Sequence, residues 1–345
     1  MNKMKDLGEK GFISGLLPNL FVHPSFVNGF GDDASIVDVG LDKLIACKID
    51  RAPAPVSVKL GVGDFRVWGR LAAVANISDL LASGADPKAM MLSLVLPDSF
   101  SVNDAENIVL GCQEACLSNG VAFIGGDTKE GATAQVVGSA WGTVDKEAVI
   151  GRGVAKNGDA LFIAGNLGAF AASLALLLKK KYTQESYEKY VNILNFPTLS
   201  VNESRFIQET GLVKYACDLS DGLFDAINIF CGESLGIEIK ESSLPMHDIA
   251  RNASHSLGVP LWRFALGVGD WPIAFVVEKE SVDCFLEKIP SNMSISLIGE
   301  FNESFQKTIL DINGEEKSFP SLINEHFRKR AEDIEDYLDE LLYKN

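Results

Sequence analysis

The stretch Ala73–Pro87 reads AVANISDLLASGADP, and its largely apolar part, Ala73–Ala85, contains one acidic residue, Asp79. Apolar residues recur at helical spacing from Arg70 to Ser83, which predicts a helix there. An aspartate is poorly suited both to a helix interior and to burial. We therefore favour a metal-binding role for Asp79 over the alternative, an exposed position on the helix.

Four further acidic motifs are spread over most of the chain. They are Gly31-Asp32-Asp33-Ala34, Gly125-Gly126-Asp127-Thr128, Asp218-Leu219-Ser220-Asp221-Gly222 and Gly267-Val268-Gly269-Asp270. Oxygen ligands suit Mg²⁺, which usually takes one or two carboxylates and completes its shell with water and phosphate oxygens. Together the motifs predict one divided site for magnesium and phosphate.

The first two of these motifs suggest different parts of such a site. Asp32 and Asp33 are adjacent carboxylates that repel each other, which indicates a nearby cation; a turn with solvated acids is the alternative. Gly125 and Gly126 follow an apolar run, so we expect them at the end of a strand, where backbone N–H groups can approach a phosphate. Asp127 would then bind the metal, unless the motif is an ordinary tight turn.

The third motif stands at the mouth of a helix predicted over Asp221–Gly232. Asp221 could be the N-cap of that helix, but one helix needs only one cap, so the second acid, Asp218, favours a metal role. Arg152 lies between two glycines, where it could reach a phosphate as a fixed cation, or could be a surface arginine. Phosphoryl transfer would rest on charge neutralisation and alignment.

Length and composition indicate a globular protein with two domains. The chain has 345 residues, 47% of them hydrophobic, and exceeds the size at which single cores usually stop growing. Its formal net charge of -16 argues against a nucleic-acid partner, since phosphate backbones are bound by clustered Lys and Arg. The six cysteines form no CxxC pair and are interpreted as reduced thiols. No signal core or apolar run of membrane-spanning length occurs, which predicts a cytoplasmic protein without a membrane partner.

The order of predicted elements indicates an α+β (mixed α/β) fold. Predicted strands and helices alternate in the first half, and a turn-rich passage near Ile150 precedes the apolar strand Ala160–Ala164. We predict an N-terminal metal-binding domain over residues 1–149 and a C-terminal α+β domain over 150–323. The acidic segment 324–345 is predicted as a helix packed on the body, with a partner-binding helix as the alternative.

The motifs resemble, in order and spacing, those of the thiamine-monophosphate kinase family. This family belongs to the superfamily of aminoimidazole ribonucleotide synthetase, selenophosphate synthetase and a hydrogenase maturation factor. The resemblance covers roughly residues 7–300, and its most specific parts are the first acidic motif, Ala75–Pro87, Gly125–Thr128 and Ser220–Leu223. No P-loop, complete dinucleotide fingerprint or protein-kinase motif pair competes with it.

The resemblance implies an N-terminal sheet domain that forms a homodimer, a C-terminal α+β domain, and ATP bound with several magnesium ions near the dimer interface. It implies a small-molecule phosphate substrate, thiamine monophosphate, as the acceptor of the terminal phosphoryl group. By position, the implied metal ligands are Asp32, Asp33, Asp50, Asp79, Asp127, Asp218 and Asp221. The implied nucleotide contacts are Gly126, Asp127, Arg152 and Ser220, and the implied catalytic residues are Asp127, Arg152 and Asp221.

The departures from the family concentrate on the substrate side. The family's Ser-Thr-Asp strand ending is Lys48-Ile49-Asp50 here, so hydroxyl ligands are lost and Lys48 could replace a cation; Ser57 stands near the family's His. The family's Gly-Gly-Glu-Asp-Tyr-Glu becomes Gly267–Pro272, with Gly269 at the Glu position. An aromatic residue expected shortly before His326 is absent.

Three hypotheses follow. The first is an ATP- and Mg²⁺-dependent kinase of the thiamine-phosphate type. The second is a related synthetase-like enzyme that activates an oxygen of another metabolite with ATP. The third is a catalytically idle nucleotide-binding module.

Overall fold

The computed structural model describes residues 3–304, 306–319 and 333–343, which form two sheets with helices packed between and around them. The fold is mixed α/β and has two domains, as the sequence predicts. The first sheet ends at Val144 and the second begins at Ala160. The predicted boundary at residue 149 falls in this interval and stays a prediction.

The first sheet has five strands in the order β1-β2-β5-β3-β4. Only the β3–β4 pair is parallel. The strands are β1 (Ser35–Val37), β2 (Leu44–Arg51), β3 (Asp86–Leu96), β4 (Ala122–Glu130) and β5 (Gln135–Val144). The helices of this half are α1 (Met4–Leu16), α2 (Val56–Lys59), α3 (Arg66–Ala82) and α4 (Val102–Ser118). Ser101 caps α4, because its side chain accepts a hydrogen bond from Asp104 N.

The second sheet has seven strands in the order β12-β11-β8-β10-β6-β9-β7. Its strands are β6 (Ala160–Ala164), β7 (Val213–Asp218), β8 (Gly236–Lys240), β9 (Ile273–Val277), β10 (Ile295–Asn302), β11 (Lys307–Leu310) and β12 (Glu316–Ser318). Its helices are α5 (Ala169–Leu178), α6 (Gln184–Asn195), α7 (Val201–Thr210), α8 (Leu223–Cys231), α9 (Asp248–Leu257), α10 (Val282–Lys288) and α11 (Ile334–Tyr343). Short 3-10 turns cover Leu17–Asn19, Glu241–Ser243, Leu261–Leu266 and Lys279–Ser281.

Helix α3 lies between the two sheets and is buried along most of its length. A helix that is apolar on all sides belongs in a core, which explains the unusual composition of its sequence. It crosses α4 at very short range: a Cβ added to Gly69 would lie 1.8 Å from the carbonyl oxygen of Ile108. Ile77 and Leu80 of α3 share one hydrophobic cluster with Phe162 and Phe275 of the second sheet.

Alternate residues of the central strands in the second sheet face two different cores. On β6, Phe162 packs toward α3, whereas Leu161 and Ile163 pack under the helices of the C-terminal half. A strand covered on both faces reads as a continuous apolar run, as β6 and β9 do. This sheet therefore holds the two domains together.

One local expectation is wrong, one helix was not expected, and one predicted helix is described only in part. Gly125 and Gly126 do not end a strand, because β4 continues through them to Glu130 as the parallel edge partner of β3. Helix α1 was not predicted. The predicted tail helix is described only from Ile334 to Tyr343, where Leu338, Leu341 and Leu342 are buried; its residues 324–332, and the segment around His326, lie outside the described residues.

None of the helices in the described ranges combines the length and the apolar character needed to span a bilayer.

Candidate functional site

Three buried carboxylates from three separate parts of the chain meet in the interior. Asp33 precedes β1, Asp79 lies on α3, and Asp218 ends β7. Each offers an oxygen, and these oxygens all lie within 4.8 Å of one another. The three residues are 4%, 5% and 6% exposed, respectively, so solvent screens their mutual repulsion very little. We call these three residues the acidic triad.

Two cations contact the acidic triad. Lys48, on β2, places its Nζ 3.0 Å from Asp79 Oδ2. Arg152 forms an ion pair with Asp33 through Nη2 and Oδ1. Lys48, which the sequence suggests as a replacement for a cation where the family pattern changes, is thus a member of the site.

Asp32 acts differently from its neighbour. Its Oδ1 accepts a hydrogen bond of 2.7 Å from the backbone N–H of Arg152, and its Oδ2 accepts one of 2.7 Å from Asn28 Nδ2. Both carboxylate oxygens therefore accept hydrogen bonds that hold the loop before β1 against the segment that carries Arg152. The structure supports a positioning role for Asp32 more directly than a ligand role.

Burial and like charge make the triad hard to ionise fully. Burial, with a further contribution from Asp218, raises the pKa of Asp33 to about 7 despite the nearby Arg152 guanidinium. Burial raises the pKa of Asp79 well above its ordinary value and also raises the pKa of Asp218. Burial lowers the pKa of Lys48, but the carboxylates of Asp79 and Asp50 outweigh it, so the net shift is upward. The lysine therefore stays charged.

The donor set of the triad fits a magnesium ion. Asp218 Oδ2 makes no hydrogen bond to any described residue, although Ser220 Oγ donates to Oδ1 at 2.9 Å. The hydroxyl of Ser78 is also fully buried and lies close enough to Asp218 to stabilise its ionised carboxylate, but it has no partner of good hydrogen-bond geometry among the described residues. Buried polar atoms left unpaired are costly, which indicates that something binds here. Carboxylate and hydroxyl oxygens are the ligands that Mg²⁺ prefers.

Asp50 and Asp221 lie at the margin of the triad and are both exposed. Asp50 follows Lys48 on β2, close enough to raise the pKa of that lysine. Although the residue is exposed, its carboxyl group is partly desolvated by its surroundings, and this together with the carboxylates of Asp225 and Asp218 raises the pKa of Asp221. It is not the cap of α8, whose N-cap is Gly222. Both acids can approach a ligand bound at the triad.

Asp127 lies away from the triad within one chain. In the register of the first sheet it pairs with Ser93, whereas its neighbours Gly126 and Thr128 pair with the buried residues Leu92 and Leu94 on the helix-covered face. Because side chains alternate along a strand, Asp127 lies on the opposite, open face of the sheet. The predicted roles of Gly126 and Asp127 stay predictions.

The acidic motif Gly267-Val268-Gly269-Asp270 stabilises the fold of the second domain. Asp270 accepts hydrogen bonds from Gly168 N at 2.7 Å and from Phe170 N at 3.0 Å, and so completes the N-terminus of α5. Burial raises the pKa of this carboxyl to about 6, against the opposing effect of those N–H groups. Gly269 has φ +98°, and a Cβ added there would lie 2.5 Å from the Phe170 ring.

The same turn lies against both the triad region and the C-terminal helix. A Cβ on Gly222 would lie 2.8 Å from the carbonyl oxygen of Leu266, and Val268 N donates to Tyr337 Oη at 3.0 Å.

Ser57, near the family's His position, is 1% exposed and its hydroxyl has no partner among the described residues.

Sequence reasoning missed Asn28, Ser78 and Phe170. Ser78 directly precedes Asp79 in an apolar helix, so the rule that singled out Asp79 could have found it too. Asn28 and Phe170 carry no local signal, because their importance comes from partners that are distant in sequence.

Comparison with known proteins shows which proteins this chain is similar to in sequence. Residues 31–144 match the family model described as AIR synthase related protein, N-terminal domain. A thiamine-monophosphate kinase of Bacillus subtilis is 30% identical over 250 residues, which cover 70% of this chain and 75% of the relative. A putative hydrogenase expression/formation protein of Methanocaldococcus jannaschii is 29% identical over 290 residues, covering 81% of this chain and 82% of the relative.

Solved structures of other proteins superpose on this chain over nearly its whole length. The complex of AaThiL with AMPPCP and TMP has a TM-score of 0.74 at 25% identity, covering 92% of this chain and 97% of the other. The hydrogenase maturation protein HypE in complex with ATP has a TM-score of 0.59 at 19% identity, covering 91% and 96%, and shows a likeness of fold alone.

Proposed function

The chain belongs to the thiamine-monophosphate kinase family of AIR synthase-related proteins, and from this premise we propose that it is an ATP- and Mg²⁺-dependent phosphotransferase. The proposed reaction moves the terminal phosphoryl group of ATP onto the phosphate of thiamine monophosphate, giving thiamine diphosphate and ADP. One observation carries the proposal: the buried acidic triad with its unpaired oxygens. The relative AaThiL, bound to AMPPCP and TMP, supports the same substrates.

Each group of the site has a role in this proposal. Asp33, Asp79 and Asp218 would hold magnesium, with Asp50 and Asp221 as further ligands at its open side. A bound Mg²⁺ ion neutralises phosphate charge and aligns the phosphoryl group for transfer. Arg152, fixed in position by its contacts with Asp32 and Asp33, would bind a phosphate oxygen, since a guanidinium is permanently charged and directional. Ser220 would contact the nucleotide from the end of β7.

A homodimer forms part of the proposal, with the open face of the first sheet as its interface. Ile49 is 70% exposed and Trp141 is 42% exposed on this face, and Cys47 pairs with Trp141 in the register. Contiguous apolar surface of this kind marks an interaction site. Asp127 lies on the same face, so a second copy is the means by which it could reach a nucleotide. We propose a cytoplasmic location, as for the family.

The acceptor side favours a second candidate as well. The carboxylate of the family's Glu is missing at Gly269, and the Phe170 ring occupies the adjoining space. A thiazolium cation would thus lose a countercharge. This observation favours, as the second candidate, transfer of the ATP phosphoryl group to an oxygen of a different metabolite at the same triad.

An ADP-release assay tests the proposal. Purified protein with Mg²⁺ and ATP is compared with and without thiamine monophosphate, and the product is identified by mass spectrometry. We expect stimulated turnover that falls at least 100-fold, on the order of 3 kcal/mol in activation free energy, in Asp79→Asn and in Asp127→Asn. The exposed Asp98→Asn is the matched control and should keep wild-type turnover. ATP binding without turnover on thiamine monophosphate would refute the named reaction, and turnover on another acceptor would establish the second candidate.

A further inference from the structure

Lys48 is a cation placed where a metal ion would otherwise be expected. It is the fifth residue of β2, where it pairs with Ala140 on the face of the sheet that α3 covers. Its side chain is 23% exposed, and its Nζ contacts Asp79 Oδ2 at 3.0 Å. An ammonium group at this distance occupies a coordination position of that carboxylate oxygen.

The charges of the site show how much negative charge is left unbalanced and so available to a divalent ion. The acidic triad carries three negative charges when ionised, and Lys48 and Arg152 return two positive charges from direct contacts with Asp79 and Asp33. Asp218 has no such ion pair among the described residues, and its Oδ2 is unpaired. The open coordination capacity is therefore concentrated on the side of Asp218.

The buried hydroxyl of Ser78 supports the same location. It is fully buried and lies close enough to Asp218 to stabilise its ionised carboxylate, but no partner in the described part of the chain gives it a hydrogen bond of good geometry. A ligand at Asp218 would satisfy both groups.

We propose that Lys48 takes the place of one divalent cation, so that the acidic triad binds one ion fewer than the same carboxylates would without it. This inference rests on the proposed function for its account of why divalent ions bind here, but it concerns the number of ions and not the acceptor. A lysine ammonium is a compact charge with three donors, which lets it bridge carboxylates much as a metal does. Removing its charge would free both oxygens of Asp79 for a second ion.

Counting bound Mn²⁺ tests the inference without any turnover. The full chain is titrated with Mn²⁺ alone, and the free ion is measured by electron paramagnetic resonance. We expect Lys48→Met, which is of similar length but neutral, to bind one more Mn²⁺ per chain than the wild type. Lys48→Arg, which keeps the charge, is the matched control and should bind the same number as the wild type.

The outcomes separate this inference from the proposed function. Equal Mn²⁺ counts in wild type and Lys48→Met, or a lower count in the variant, would overturn the role of Lys48 even if thiamine monophosphate is phosphorylated. An extra ion in Lys48→Met would support it even if another acceptor is used. Should Lys48→Met fail to fold, as judged by circular dichroism, the shorter neutral Lys48→Thr provides the same comparison.

Discussion

Neutralising Asp218 should stabilise the metal-free protein while abolishing its response to metal. The carboxylate oxygens of the triad lie within 4.8 Å of one another, and Asp218 has no ion pair to lose among the described residues. Two unit charges at that separation repel by about 3 kcal/mol at an effective dielectric constant of ~20. Attractions to Arg152 and Lys48 offset much of the repulsion from Asp33 and Asp79. We expect Asp218→Asn to raise the free energy of unfolding at pH 8 by on the order of 1–3 kcal/mol.

The effect should depend on pH in a defined direction. Burial raises the folded-state pKa of Asp33 to about 7, above the value of about 3.9 expected in the unfolded chain. The native state therefore binds protons more tightly, and its stability falls as the pH rises through this window. As the pH is lowered from 8 to 5, Asp33 takes up a proton in the native state and no longer repels Asp218, so the advantage of Asp218→Asn should shrink over this range.

Urea unfolding in EDTA and in excess Mg²⁺ measures both parts of this prediction. The wild type should gain stability from Mg²⁺, and Asp218→Asn should gain little or none. Asp127→Asn is the control, because its carboxylate is exposed on the opposite face of the sheet and should change stability in EDTA by less than about 0.5 kcal/mol. A loss of stability in Asp218→Asn at pH 8 in EDTA would refute the reasoning that the triad is electrostatically strained.

Three further predictions concern the frame of the site. Asp270→Ala should lower the free energy of unfolding, measured with urea, by about 1–3 kcal/mol, because it leaves the N–H groups of Gly168 and Phe170 without their acceptor. A change below about 0.5 kcal/mol would contradict this role. Gly69→Ala should lower the free energy of unfolding by about 1–3 kcal/mol or more, because the new Cβ meets the main-chain oxygen of Ile108. The control Gly15→Ala has open space around the new Cβ and should not lower it. Equal melting temperatures for the two variants would argue against the close helix crossing. Trp141→Glu should convert the proposed dimer into a folded monomer in sedimentation velocity, and a wild type that is already monomeric would rule out that interface.

The sequence singles out the acidic residues of the triad better than it predicts their arrangement. Asp79 could be predicted because an acid within an apolar helix needs a reason, and Asp218 because a second acid beside a helix start exceeds what capping requires. The separation of Asp127 from these residues could not be predicted, since it depends on β4 continuing past Gly126 and on the alternation of side chains. A local pattern contains neither fact.

The positions of Lys48 and Arg152 show the same limit. Both residues were recognised from the sequence as cations near acidic motifs, but their partners, Asp79 and Asp33, come from distant segments. The role of Gly267–Asp270 could be revised only through contacts with α5 and Tyr337, which no spacing rule indicates.

The burial of α3 between the two sheets has a consequence for how the protein unfolds. Its residues share one hydrophobic cluster with the second sheet, and Ser204 Oγ donates to the carbonyl oxygen of Leu81 across the domain boundary. Neither domain can melt without exposing the apolar surface of the other, so calorimetry should record a single cooperative transition. Asp79 lies on this shared helix, so its distances to Asp33 and Asp218 are fixed by the same cooperativity and do not depend on a hinge that opens and closes.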